Sequence, residues 1–230
     1  MTASGAVVGM LALQAIFNDD VRSALIWLVI SQILDGLDGP IARKFDVPIH
    51  APRVDGHILD LVVDYVTCVV VPIAFMSHFA MLPAHYETLV AGSIFLFSAL
   101  WFARTDLETD DHWFNGFPAA WNLVVPTMLL AHATTTQVAV ISSILCITQL
   151  TNFKMPHIVR SPQFRKITLP FGTIYLINLT YLSVSFSDSA SEQLNWLTGG
   201  ILFGFAAYVM TISVWRTFIF KPANSLQTTA

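Results

Sequence analysis

The sequence predicts an all-α integral membrane protein, and three observations carry that expectation. Of its 230 residues 55% are hydrophobic and only 11% are charged, where soluble domains average about 25% charged. The mean hydropathy is +0.65. The apolar residues are gathered into runs close to the roughly 20 residues that a bilayer-spanning helix needs. These figures exclude a water-soluble globule and a disordered chain. A net charge of −4 argues against a nucleic-acid partner. Cys68 and Cys146 sit inside apolar runs, so neither a disulfide scaffold nor a cysteine metal site is readable.

Eight runs follow one another, at about 3–17, 22–41, 54–79, 84–103, 117–132, 137–153, 167–186 and 197–219, with ends fixed to about 2–4 residues. The first is short and has no positive charge ahead of it, which speaks against a cleaved signal peptide and for a span at a shortened N-terminus. Pro72, Pro126 and Pro170 fall within or at the start of runs, which bilayer helices tolerate when neighbours satisfy the freed carbonyls. With about eight transmembrane helices, both termini share one side. Arg43, Lys44, Arg53, Arg104, Lys154, Arg160, Arg165, Lys166, Arg216 and Lys221 lie on that side, and of the 11 basic residues only Arg22 lies opposite. The opposite loops, Met81–Pro83, Ala133–Thr136 and Ser187–Gln193, carry no base. The positive-inside rule puts the basic loops and both termini in the cytoplasm. No linker or repeat divides the chain, which reads as a single transmembrane domain over 1–230.

Charges inside spans are costly and usually functional. Here the second run ends with Asp35, Asp38, Gly39, Ala42 and Arg43, at i, i+3, i+4, i+7 and i+8. The third begins with Gly56, Asp60 and Asp64, at i, i+4 and i+8. Each set forms one stripe on one helix face. The two helices are joined by one loop and can bring the stripes together. Four facing carboxylates require a positive counterpart, and hard oxygen ligands suit Mg²⁺ or Mn²⁺. Two such ions about 4 Å apart form a clamp for phosphoryl oxygens. Gly39, Ala42 and Gly56 clear bulk for a phosphate or nucleotide, and Arg43 offers it a planar fork. Pairing of the aspartates with Lys or Arg, or a divalent-cation pathway, are the competing readings. A transporter needs polar residues continuing across the bilayer, whereas the far halves of these two runs are apolar.

The arrangement D-x-x-D-G-x-x-A-R…G-x-x-x-D-x-x-x-D resembles the signature of the CDP-alcohol phosphatidyltransferases, with every fixed position present as Asp35, Asp38, Gly39, Ala42, Arg43, Gly56, Asp60 and Asp64. Residues 44–55 make a longer insert than is common in that family, and eight runs are more than usual. Both departures resemble the branch that joins choline directly to CDP-diacylglycerol, as does the stretch Asp111–Asn122. The resemblance implies a bundle of the family's type in a bacterial inner membrane, a homodimer, and transfer of a phosphatidyl group to choline with release of CMP. It implies that Asp35, Asp38, Asp60 and Asp64 ligate two divalent ions, with Asp35 and Asp60 bridging them. Asp64 is also implied as the base for the acceptor hydroxyl. Gly39, Ala42, Arg43 and Gly56 are implied to hold CDP-diacylglycerol, whose tails remain in the bilayer. Serine, glycerol phosphate and inositol are the alternative acceptors within the family.

A quaternary ammonium donates no hydrogen bond, so aromatic faces and carboxylates must hold it. Trp113, Phe117 and Trp121, with Asp111 and Asn122, are the candidates for choline. An interfacial aromatic belt explains the rings equally well, and a helix–helix hydrogen bond explains Asn122. The basic loop of Lys154, Arg160, Arg165 and Lys166 fits either topology alone or recruitment of a lipid phosphate. His50 and His57 flank the acidic stripes and read as structural residues.

Overall fold

The computed structural model describes residues 2–45, 53–187 and 194–220, except for the side chains of Pro40, Ala42 and Arg43. His50, Lys221 and the acidic loop at 188–193 lie outside the described residues. Helices occupy all eight apolar runs within that set: α1 (Thr2–Phe17), α2 (Val21–Lys44), α3 (Gly56–His78), α4 (Glu87–Phe102), α5 (Trp121–Leu130), α6 (Thr135–Gln149), α7 (Arg165–Val184) and α8 (Trp196–Ile219). Three of them, α3, α7 and α8, are long and apolar enough to cross a membrane. Helices α1, α4, α5 and α6 are apolar but shorter, at 10–17 residues.

Side-chain caps fix several helix starts. Asp20 accepts from Ser23 N–H ahead of α2, and Asp55 accepts from the His57 and Ile58 amides at α3. Thr134 with Gln137, and Asn195 with Thr198, form reciprocal caps on α6 and α8. Each cap satisfies amides that have no partner within the helix. Two helices contain a π-helical segment, Tyr65–Val70 in α3 and Trp215–Ile219 at the end of α8. Both lie beside charged residues that the fold must aim, as such segments often do.

Helix α2 packs against α1, α3, α5 and α7, so it runs through the middle of the bundle. Leu25 and Leu28 of α2, Phe75 and Met76 of α3, Trp121 of α5 and Leu179 of α7 are fully buried. The outer surface carries Met10, Leu89, Leu96, Ile144, Ile147, Ile177 and Phe203, all more than half exposed. A soluble monomer does not present apolar surface from so many helices, and lipid contact accounts for it. Helix α1 approaches α3 closely: a Cβ on Gly5 would stand 2.7 Å from Val63 Cγ1. Any larger residue at that position would push against the Val63 side chain, one residue before Asp64.

One end of the bundle is closed by two loops. Strands β1 (Trp113–Asn115) and β2 (Lys154–Pro156) pair antiparallel, with Phe114 opposite Met155. They tie the α4–α5 connection to the α6–α7 connection. Gly116 follows β1 with φ +84°, donating from its amide to Phe153 O at 2.7 Å.

Candidate metal centre and its surroundings

Asp35 comes from α2, and Asp60 and Asp64 from the second and third turns of α3. One carboxylate oxygen of each lies within 4.8 Å of the others. The π-helical segment begins at Tyr65, so regular α-helical spacing is preserved from Asp60 to Asp64 and both project from one face. Asp35 and Asp64 lie within hydrogen-bonding range of one another, and Gln32 Nε2 donates to Asp35 at 3.3 Å. Asp38 is 9% exposed and lines a small hollow with Asp35 and Asp64, roofed by Thr2 and Gly5 of α1. Asp38 stands beside the trio and is not part of it. Gly56 has open space where a Cβ would point, so its face is free for a large group. The side chains of Ala42 and Arg43 lie outside the described set, as does any contact they make.

This donor set fits divalent cations. Its ligands are hard carboxylate oxygens, and among the described residues none of the four aspartates forms an ion pair with Lys or Arg. His57 and Arg160 act on Asp60 only at longer range. Carboxylates gathered this tightly without a basic partner are destabilised by mutual repulsion until a cation joins them.

The five acceptor candidates lie on β1, beside it and at the start of α5, and neighbours engage four of them. Asp111 is bound by Arg216, whose Nη2 meets both carboxylate oxygens at 3.0 Å. Burial alone would raise the Asp111 pKa, but hydrogen bonds from Thr109 and Arg216 hold it below the usual carboxylate range. Trp113 is 0% exposed, donates to Gln163 Oε1 at 3.1 Å and has the Arg216 guanidinium 5.8 Å from its ring centre. Trp121 is also 0% exposed and donates to Ser98 Oγ at 3.0 Å. Phe117 meets it edge to face. Asn122 is different: it is fully buried, and among the described residues neither atom of its amide has a hydrogen-bond partner. Burying an unpaired amide is costly.

Several contacts of the loops were invisible in the sequence. Arg216 is 5% exposed and binds Asp111 across 105 positions; a lone arginine at the end of an apolar run was the available signal. His157 stacks on Phe114 at 5.1 Å, and its Nδ1 accepts from the amides of Val159 and Arg160. Burial, with Arg160 beside it, pushes its pKa down to about 4. An acceptor nitrogen must be unprotonated, so folding favours neutral His157. Its folded pKa lies below the unfolded value, and the stabilisation is complete above about 6.5 and fades as pH falls toward about 4. The melting midpoint of the wild type should therefore drop more between pH 7 and pH 5 than that of His157→Asn. Parallel pH curves for the two proteins would show that His157 does not titrate in this way.

Residues 1–157 match the family model for CDP-alcohol phosphatidyltransferase. The chain is 34% identical over 219 residues to the phosphatidylcholine synthase of Pseudomonas aeruginosa, covering 94% of this chain and 89% of that protein. It is 31% identical over 217 residues to the phosphatidylcholine synthase of Borreliella burgdorferi, covering 94% and 92%. The phosphatidylcholine synthase of Legionella pneumophila is 29% identical over 224 residues, covering 94% and 86%. A family model matching most of the length, relatives matching nearly all of it, and a carboxylate trio formed by the signature positions lead to one conclusion: the chain belongs to the CDP-alcohol phosphatidyltransferase family.

Proposed function

We propose that this enzyme is a phosphatidylcholine synthase, transferring the phosphatidyl group of CDP-diacylglycerol to choline and releasing CMP. The observation that carries the proposal is the Asp35–Asp60–Asp64 cluster in a chain whose full-length relatives are phosphatidylcholine synthases. Asp35, Asp38, Asp60 and Asp64 would hold two divalent cations, Mg²⁺ or Mn²⁺. Bound there, the cations would neutralise the diphosphate and the charge that develops on departing CMP. Gly39, Ala42, Arg43 and Gly56 bind the cytidine diphosphate, while the acyl chains remain among the exposed apolar side chains of the bundle. Asp64 accepts the choline hydroxyl proton. The choline oxygen then bonds to the phosphatidyl phosphorus, and the phosphorus–oxygen bond to CMP breaks.

On the acceptor side, the burial of Trp113 and Trp121 favours a supporting wall over an open aromatic cage. Asp111 reaches the acceptor only through what it positions. Asn122, with its unpartnered amide, is the polar contact we assign to the acceptor, backed by Phe117 and Trp121. Asn122→Leu keeps the volume and removes both polar atoms. It should raise the choline KM about tenfold with little change in the KM for CDP-diacylglycerol. Equal changes for both substrates would return Asn122 to helix packing.

The eight helices are read as eight crossings in one catalytic domain of a bacterial inner membrane, with both termini and the β1–β2 cap in the cytoplasm. The basic loops support that orientation, and α7 packing on α2 supports a single domain. The family resemblance supports a homodimer. A reporter inserted near Ser161 should read cytoplasm, and one near Ser189 the outer side; a reversed pair would refute the orientation. Acceptor choice is tested by offering choline, serine, glycerol phosphate and inositol to the purified enzyme with CDP-diacylglycerol. Choline should give the dominant lipid product, and a preference for any other acceptor would overturn the assignment.

A further inference from the structure

Arg160, Arg165 and Lys166 line an open pocket with Pro162, Leu169 and Pro170 where the α6–α7 loop enters α7. The loop leads into α7, which packs on α2, the helix that carries Asp35 and Asp38, and the Arg160 charge also reaches Asp60. Among the described residues, the Arg160 side chain has one long ion pair, 3.7 Å to Glu108, with the two side chains 43% and 29% exposed. Exposed pairs of this kind contribute little. The loop is instead held by the residues that follow Arg160. Ser161 Oγ donates to His112 O. Gln163 Oε1 accepts from Trp113 Nε1 at 3.1 Å, and Gln163 Nε2 donates to Asp111 at 3.0 Å. Phe164 packs edge-on against both Trp113 and Trp215.

These anchors converge on one buried ion pair. Arg216 binds Asp111 through Nη2 and Nε, donates from Nη1 to Phe220 O at 3.2 Å, and lies near the rings of Trp113 and Phe220. Every part of the guanidinium fork is thus engaged, which a lysine could not reproduce. The fork is aimed by the π-helical end of α8, whose Thr217 also accepts from the Lys154 amide at 2.8 Å.

We propose that Asp111 and Arg216, acting through Gln163, are positioning residues that hold the basic Arg160–Lys166 loop beside the carboxylate cluster and so set the affinity for the anionic, diphosphate-bearing substrate. The inference rests on the proposed function for the identity of that substrate. Removing Asp111 alone strands a buried guanidinium, which can impair folding. Gln163→Ala is the cleaner probe, because it leaves the ion pair intact and severs its link to the loop.

The test is a double-mutant cycle on the full-length enzyme, with initial rates read as CMP release. Gln163→Ala should raise the KM for CDP-diacylglycerol about fivefold, while kcat and the choline KM stay within error; the melting midpoint should fall modestly, because the buried Trp113 N–H loses its acceptor. Arg160→Ala should raise the same KM at least as much. In the Arg160→Ala background, Gln163→Ala should add clearly less than it does in the wild type, since one of the charges it positions is gone. Asp111→Glu should retain most of the affinity. Additive effects, equal rises in both KM values, or a lowered melting midpoint with an unchanged KM for CDP-diacylglycerol would each overturn the proposal. If the wild type preferred a different acceptor, the choline reading would fail alone, because the cycle for the nucleotide lipid can be run with whichever acceptor is used.

Discussion

Asp60→Asn should lower turnover by about 10³-fold or more while the protein remains folded. The side chain keeps its size and loses its charge, in a trio whose carboxylate oxygens lie within 4.8 Å of one another. Divalent-ion affinity depends on ligand charge, and stabilisation of developing phosphoryl charge depends on the bound ion. Without a bound cation, the same substitution relieves repulsion among Asp35, Asp38, Asp60 and Asp64. The metal-free variant should therefore melt no lower than metal-free wild type, and adding Mn²⁺ should raise the midpoint of the wild type more than that of the variant. This opposite movement of stability and activity separates a metal ligand from a structural aspartate. A variant with normal turnover and a normal Mn²⁺-induced shift would remove Asp60 from the site.

Gly116→Ala should destabilise the protein by about 3 kcal/mol or more. The backbone there has φ +84°, which disfavours any side chain, and the added Cβ would fall 2.3 Å from Gln149 O and 2.6 Å from Thr148 O. Both obstacles are backbone atoms at the end of α6, so no side-chain rotation relieves them. The expected fall in melting midpoint is roughly 6–12 °C, taking soluble domains of similar length as the guide. The loss of stability should come with weakened substrate binding, because Gly116 leads from β1 into α5 and its amide anchors Phe153 ahead of β2. A midpoint within 1 or 2 degrees of wild type, on the order of a surface change, would mean that the loop relaxes freely.

Helix placement was legible because apolar runs alternate with short polar connections, and α1, α3 and α8 begin within about two residues of the runs read in the sequence. Crossing a membrane is a stricter property than being an apolar helix. Helix α5 holds only Trp121–Leu130 because it starts after the tight Phe117–Ala120 connection, so length and composition alone qualify only α3, α7 and α8. The carboxylate cluster was legible because its spacing is local to two helices: Asp60 and Asp64 are one turn apart, and Asp35 faces them from the adjoining helix. The surroundings were not, because they depend on partners distant in sequence. Asp111 and Trp113 read as a pocket for a cation, and in the fold that cation is Arg216. Trp121 read as a free face, and Ser98 on α4 takes its N–H. Nothing local to residues 111–122 announces either partner.

The central claim is that the carboxylate cluster serves choline-dependent consumption of CDP-diacylglycerol. Transfer of radiolabelled choline into chloroform-soluble lipid by the purified protein in vesicles tests it most directly, with CDP-diacylglycerol present or omitted and with Mn²⁺ or a chelator. Labelled phosphatidylcholine should appear only with both CDP-diacylglycerol and the divalent ion, in equal amounts with CMP, and should vanish in Asp60→Asn. Label entering lipid without CDP-diacylglycerol, or at an unchanged rate in chelator, would contradict the account.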